Sequence, residues 1–236
     1  MKRILPAIAL FAGLSLVGCT GGGDKPDQAD SGGDSSQASA EETPQASKLD
    51  EAKLKEILES TKAEGQSFKA VDGAGNSSSE AVKALESSEF EPAKCKDITM
   101  NLLNANLASK GTTVAGTSTD NILSAALSSY DDLDGAQTQI EGASKIAEEC
   151  SDVKIKTAGV EMSMKYKTFD AKVDGADETN GIVASVEAGG QTAMNLRMVY
   201  ALVGNNVVAV SNIADVEEAT VTKTAGAFVD AVKNAG

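Results

Sequence analysis

Read only as hydrophobic and polar positions, the chain changes character several times. Ile4 to Val17 are apolar or small, interrupted by Pro6, Gly13 and Ser15, whereas Thr20 to Ser47 hold no Leu, Ile, Val, Met, Phe or Tyr. A helical period then begins. Leu49, Leu54, Ile57 and Leu58 share one face of a short helix entered near Asp50. Ala81, Val82 and Leu85 mark a second helix after the Ser-rich turn at Asn76 to Ser79. Cys95, Ile98, Leu102 and Ala105 recur at the same spacing, which puts Cys95 on an inner face. Thr112 to Val114 and Ile122 to Tyr130 read as strands, the second being compatible with helix as well. Leu133, Ala136, Ile140, Ala143, Ala147 and Cys150 form the clearest helical stripe of this half and bring Cys150 to the buried side of a helix end.

Beyond Cys150 the period drops to two. Val160, Met162, Met164 and Tyr166 alternate with Glu161, Ser163, Lys165 and Lys167, as in a half-buried antiparallel strand. Ile182, Ala184 and Val186 alternate likewise, and Met194, Leu196, Met198, Tyr200 and Leu202 do so most cleanly. Gly204-Asn205-Asn206 supplies turn residues before Val207 to Val210 returns as a hairpin partner. A last helix from about Asp215 carries Val221, Ala225, Phe228 and Val232 on one face. These elements predict an α+β fold: a twisted antiparallel sheet flanked by helices, with one polar face and helices covering the other.

The first 47 residues set the expected location. Lys2 and Arg3 precede an apolar run of 14 residues, too short for a membrane span of about 20 but right for a signal peptide. Leu16-Val17-Gly18-Cys19 matches the bacterial lipobox. The sequence therefore predicts a lipoprotein signal peptide over residues 1–18 and a diacylglycerol thioether on Cys19, with acyl chains holding the protein to a membrane. Residues 19–47 form the lipidated cysteine and a disordered tether, because six acids, one lysine and no large apolar side chain from Thr20 to Ser47 cannot offset ordering entropy. A flexible chain of that length spans roughly 30 Å. Residues 48–236 suffice for a single domain with a sizeable core.

Charge and chemistry narrow the function. The formal charge of −14 becomes −16 once Lys2 and Arg3 are cut away with no acid, which argues against nucleic acid and against attraction to anionic lipid. Histidine is absent, removing the usual general base, triad orienter and commonest zinc ligand. Aromatic residues make up 3% and tryptophan is lacking, which disfavours a carbohydrate-stacking module. With Cys19 assigned to lipid, Cys95 and Cys150 remain, an even number suited to one disulfide outside the cytosol. Two separate buried thiols are the alternative, and a metal pair would lack a third soft ligand.

Four motifs have a bland reading beside a chemical one. Tyr130-Asp131-Asp132-Leu133-Asp134-Gly135 with Glu141 imitates a calcium loop, but Tyr130 stands where the first carboxylate belongs; the acids also suit a helix start. Asp174, Asp177, Glu178 and Asn180 read as a solvated turn before a weak cation site. Ser151-Asp152-Val153-Lys154 spells Ser-x-x-Lys without its partner motifs. Met162, Met164, Met194 and Met198 cluster on two strands and read as core, or as the lining of an adaptable apolar cleft.

Several pieces together resemble the PknH-like extracellular sensor domain family, first known from a mycobacterial serine/threonine kinase and found in many actinobacterial lipoproteins. They are Pro92-Ala93-Lys94-Cys95, the helix ending at Cys150, Gly204-Asn205-Asn206-Val207-Val208, and the terminal helix from Ala225 to Val232. The resemblance spans Leu49 to Gly236. That family typically has a second disulfide near the late hairpin, impossible here, and often a tryptophan where this chain has Ala147-Glu148-Glu149. The resemblance implies an antiparallel sheet flanked by helices and a cleft for an extracellular ligand; no cleft residue carries over. The expected function is thus a non-catalytic, membrane-anchored envelope domain for an unknown small-molecule, lipid or envelope ligand. A lipid or glycolipid carrier is the alternative. No catalytic residue, cofactor, metal or nucleic-acid partner is expected.

Overall fold

The computed structural model describes residues 48–71, 80–100, 111–157, 160–188 and 191–236. The expected signal peptide and tether, Cys19, Leu102 and Ala105 lie outside the described residues. Helix α1 (Glu51–Ser60) starts where the pattern placed it: Asp50 is its N-cap, the side chain accepting from Lys53 N at 2.8 Å, and Leu54, Ile57 and Leu58 are buried. Two short strands follow, β1 (Lys62–Ala63) and β2 (Gln66–Ala70). They were not legible in the alternation, since Phe68 is their only large apolar residue. The turn between them sets Glu64 and Gly65 at φ of 48° and 77°, the left-handed pair that a two-residue hairpin requires.

Next come α2 (Glu80–Ser87), the edge strand β3 (Glu89–Glu91) and α3 (residues 94–100). Strands β4 (Thr112–Ser118) and β5 (Leu123–Ser129) settle the ambiguous Ile122 to Tyr130 stretch as strand, and α4 runs over Leu133–Glu149. Four strands complete the sheet: β6 (Asp152–Thr157), β7 (Val160–Phe169), β8 (Glu178–Ala188) and β9 (Gln191–Val203). The turn at Gly204, with φ of 54°, leads into β10 (Asn206–Asn212). Helix α5 (Glu218–Lys233) begins three residues later than the pattern suggested, after Glu217.

The ten strands form one antiparallel sheet in the order β1-β2-β4-β5-β10-β9-β8-β7-β6-β3. Pairing of β5 with β10 along its whole length, Ser129 opposite Asn206 to Leu123 opposite Asn212, joins the two halves of the sequence. The expectation of a single covered face needs correction. At the centre both faces are covered, so β9 buries Val199, Ala201 and Val203 against α1 and α5 while Leu202 packs with Tyr130, Ala136 and Ile140 beneath α4. The pattern that separates polar from apolar residues survives toward the β3 edge, in β6 and β7, where Lys154, Lys156, Lys165 and Lys167 are exposed on the back face. There Lys165 pairs with Glu187 at 2.9 Å. Val160 also departs from its alternation, being 52% exposed at the strand start.

The back core gathers Leu54, Leu58, Phe68, Val199, Val208, Val210 and Phe228. Phe68 meets Phe228 edge to face with centroids 5.0 Å apart, tying β2 to α5. On the front, Cys95 and Cys150 form a disulfide with Cα atoms 5.7 Å apart, joining α3 to the end of α4. Both cysteines are buried among Leu85, Phe90, Val153, Ile155, Met164 and Ala184. Lys96 Nζ donates to the carbonyls of Glu86 and Ser88, at 2.6 and 3.1 Å, and so closes the end of α2 over this cluster. No helix among the described residues is long and apolar enough to cross a membrane.

Candidate functional site

The acidic motifs resolve into structure. Asp132 caps α4, its Oδ1 accepting from Gly135 N at 2.9 Å, so the fourth to sixth positions of the would-be calcium loop are already helix. Asp131 pairs with Lys48, and Glu141 pairs with Lys145 one helical turn on at 3.3 Å. In the second acidic stretch Asp177 Oδ2 accepts from Gly204 N at 2.7 Å, while Asn180 donates to the Ile140 carbonyl at 3.2 Å. Among the described residues no three of Asp, Glu and Cys come together as a metal would require. Ser151 precedes β6 and Lys154 lies exposed on that strand, not one helical turn from the serine.

The four methionines of β7 and β9 share one face of the sheet, and two of them, Met164 and Met198, meet in one cluster. Strand register places Met164 beside Val186 and Val186 beside Met194, and places Ile182 beside Met198. The alternation of β7 and β9 turns Met162, Met164, Met194 and Met198 to the front face, where Met164 is 3% exposed and the other three are half-buried. Met100 of α3 packs against the cluster that buries Met164 and the disulfide. One methionine is core, and the others border the solvent.

Two tyrosines share that face, and the sequence alone gave no reason to single them out. Their phase shows only that the rings point inward. Tyr166 stands in register with Ala184 and Leu196, and Tyr200 with Asn180. Both pack with Met198 against Ala143 and Ala147 of α4 and Ile182 of β8. Both residues are half-buried. Burial raises the Tyr166 phenol well above its ordinary range, with the nearby Tyr200 adding to the effect, and pushes Tyr200 up to about 12. Among the described residues their hydroxyls find only sulfur: Tyr166 donates to Met164 Sδ at 3.6 Å and Tyr200 to Met198 Sδ at 3.9 Å. Tyr130 contrasts with them, donating to Gln139 Oε1 at 2.6 Å.

On the opposite face a shallow depression lies between Phe169, Asp170 and Lys172 and the first turns of α5 at Glu218, Thr222 and Lys223. Its charges are water-exposed, as in the Lys172–Asp170 pair with both side chains about four-fifths exposed.

No family model matches the chain, and no curated protein matches it. Two solved structures are similar in part. The extracellular domain of PknH from Mycobacterium tuberculosis shares 16% identity over 55% of this chain and 69% of that one, with a TM-score of 0.43. A putative uncharacterized protein of Mycobacterium smegmatis, the Rv0999 ortholog, shares 17% identity over 71% of this chain and 86% of its own, with a TM-score of 0.41. Likeness at that level identifies neither family nor ligand.

Proposed function

We propose that the chain is a cell-envelope lipoprotein, held to the extracytoplasmic face of a membrane through Cys19, whose folded part is a non-catalytic, sensor-like binding domain. The disposition of the three cysteines carries the reading. Two are joined and buried, as suits an oxidising compartment, and the third stands in Leu16-Val17-Gly18-Cys19 behind a basic start and an apolar run. The acidic tether supports it by letting the domain stand clear of the bilayer. The absence of histidine supports a binding role over a hydrolytic one. Cys19→Ser is expected to move the protein from the membrane fraction to the soluble fraction, and intact-mass analysis of the wild type to show an acylated chain beginning at Cys19. Persistent membrane association of the variant, or native protein that still begins at Met1, would defeat the proposal.

A further inference from the structure

Residues 80–100, which carry α2, β3 and α3, are an excursion from the sheet. The chain leaves β2 at Val71, whose N–H meets the Ala115 carbonyl at 2.9 Å, and returns as β4, the antiparallel neighbour of β2. In between it reaches the opposite edge of the sheet, seven strand spacings from β4 and so about 34 Å across. There β3 is the terminal strand and pairs with β6, Glu89–Glu91 against Lys154–Lys156. Among the described residues the polar contacts of this unit are largely its own. Lys96 Nζ donates to the Glu86 and Ser88 carbonyls, and Ser88 Oγ donates to the Ala84 carbonyl at 2.6 Å. Of residues 83–100, only Leu85, Ser88, Phe90 and Cys95 are buried. That is a small core to offset the backbone entropy of so many ordered residues. Toward the body the described residues add the exposed Lys94–Glu149 pair at 3.3 Å and the Cys95–Cys150 disulfide.

We propose that residues 80–100 form a strap that undocks from the edge of β6 as one unit, with the Cys95–Cys150 bond as its latch. The bond fixes α3 to the end of α4, so Phe90 is held beside Ile155 by a covalent link as well as by packing. When the strap leaves, the strands other than β3 keep every pairing they have with one another. The outer edge of β6 then opens, with Val153 and Ile155 uncovered beside it. A bared edge of that kind is a template for another strand, so the docked strap guards the sheet.

Amide hydrogen exchange, read by mass spectrometry on the full-length protein, compares the wild type with Cys95→Ser/Cys150→Ser. Peptides covering residues 83–100 and β6 are expected to exchange about a hundredfold faster in the variant. Peptides of β5, β9 and β10 should keep their wild-type rates. Unchanged exchange over 83–100 would show that the unit docks without its latch and would overturn the proposal. Equal acceleration in β5, β9 and β10, or a variant that does not fold, would mean that the crosslink supports the whole sheet, and would overturn it too. Phe90→Ala repeats the test with the crosslink in place, since it removes the largest buried side chain of residues 83–100. Faster exchange should again be confined to 83–100 and β6; acceleration shared with β5, β9 and β10 would show that the strap does not open as a separate unit.

Discussion

Tyr130, Tyr166 and Tyr200 are the chain's only tyrosines, and burial raises all three phenols above their ordinary value near 10. The sign of the consequence is fixed. The folded state holds each phenol neutral, whereas the unfolded chain ionises near pH 10, so their contribution to stability is complete below that pH. It is lost progressively as pH climbs toward the raised folded values. A spectrophotometric titration should show little tyrosinate at pH 10 and then one cooperative rise, coincident with loss of the sheet signal in circular dichroism. Half-ionised phenols at pH 10 in an intact sheet would show that the hydroxyls are open to water. None of this was legible residue by residue. Alternation gives the side of the sheet to which Tyr166 and Tyr200 turn, but not how deeply each is buried, because that depends on Ala143 and Ala147 of α4 and on Ile182 of the neighbouring strand. Asp50 was legible, since a helix N-cap involves only the next few residues.

Elements with a full apolar stripe were readable for the same local reason. Helix α4 is the clearest case: Ala136, Ile140, Ala143 and Ala147 are buried as their spacing required, and Cys150 closes the helix on the buried side. Its first turn can be tested singly. Asp132→Ala removes the side chain that satisfies Gly135 N and is expected to lower unfolding free energy by about 1 kcal/mol in denaturant titration. An unchanged midpoint would mean that water replaces the cap without loss. Strands β1, β2 and β3 escaped notice because two to five residues carry too little alternation to register, and the Glu64-Gly65 turn is weakly marked when only its second residue is glycine. Central strands misled in the other direction. The buried second face of β9, at Val199, Ala201 and Val203, was available in the sequence, but its clean front alternation invited a one-sided reading. A strand buried on both faces is a continuous apolar run toward its end, as Val199 to Val203 is.

For the whole molecule, the disulfide and the β5–β10 pairing are two of the long-range connections. The crosslink closes a loop of 55 residues' separation that contains β4, β5 and α4, so its effect lies largely in the unfolded chain. Cys95→Ser/Cys150→Ser is expected to lose up to about 4 kcal/mol of unfolding free energy. A denaturation midpoint equal to that of the wild type would show that the crosslink adds nothing. The pairing of halves has a geometric sequel. Leu49 enters the fold by donating its N–H to Ser129 Oγ at 2.8 Å, beside the β5 end where Tyr130 N meets the Asn205 carbonyl. Residue 48 therefore lies at the end of the sheet that carries the β9–β10 turn. The antiparallel order sends Thr157, Val160, Ala188 and Gln191 to the opposite end, about 30 Å away along β7. Under the anchoring proposed at Cys19, a pull on residue 48 would act along the strands, so those hairpin ends would point away from the point of attachment.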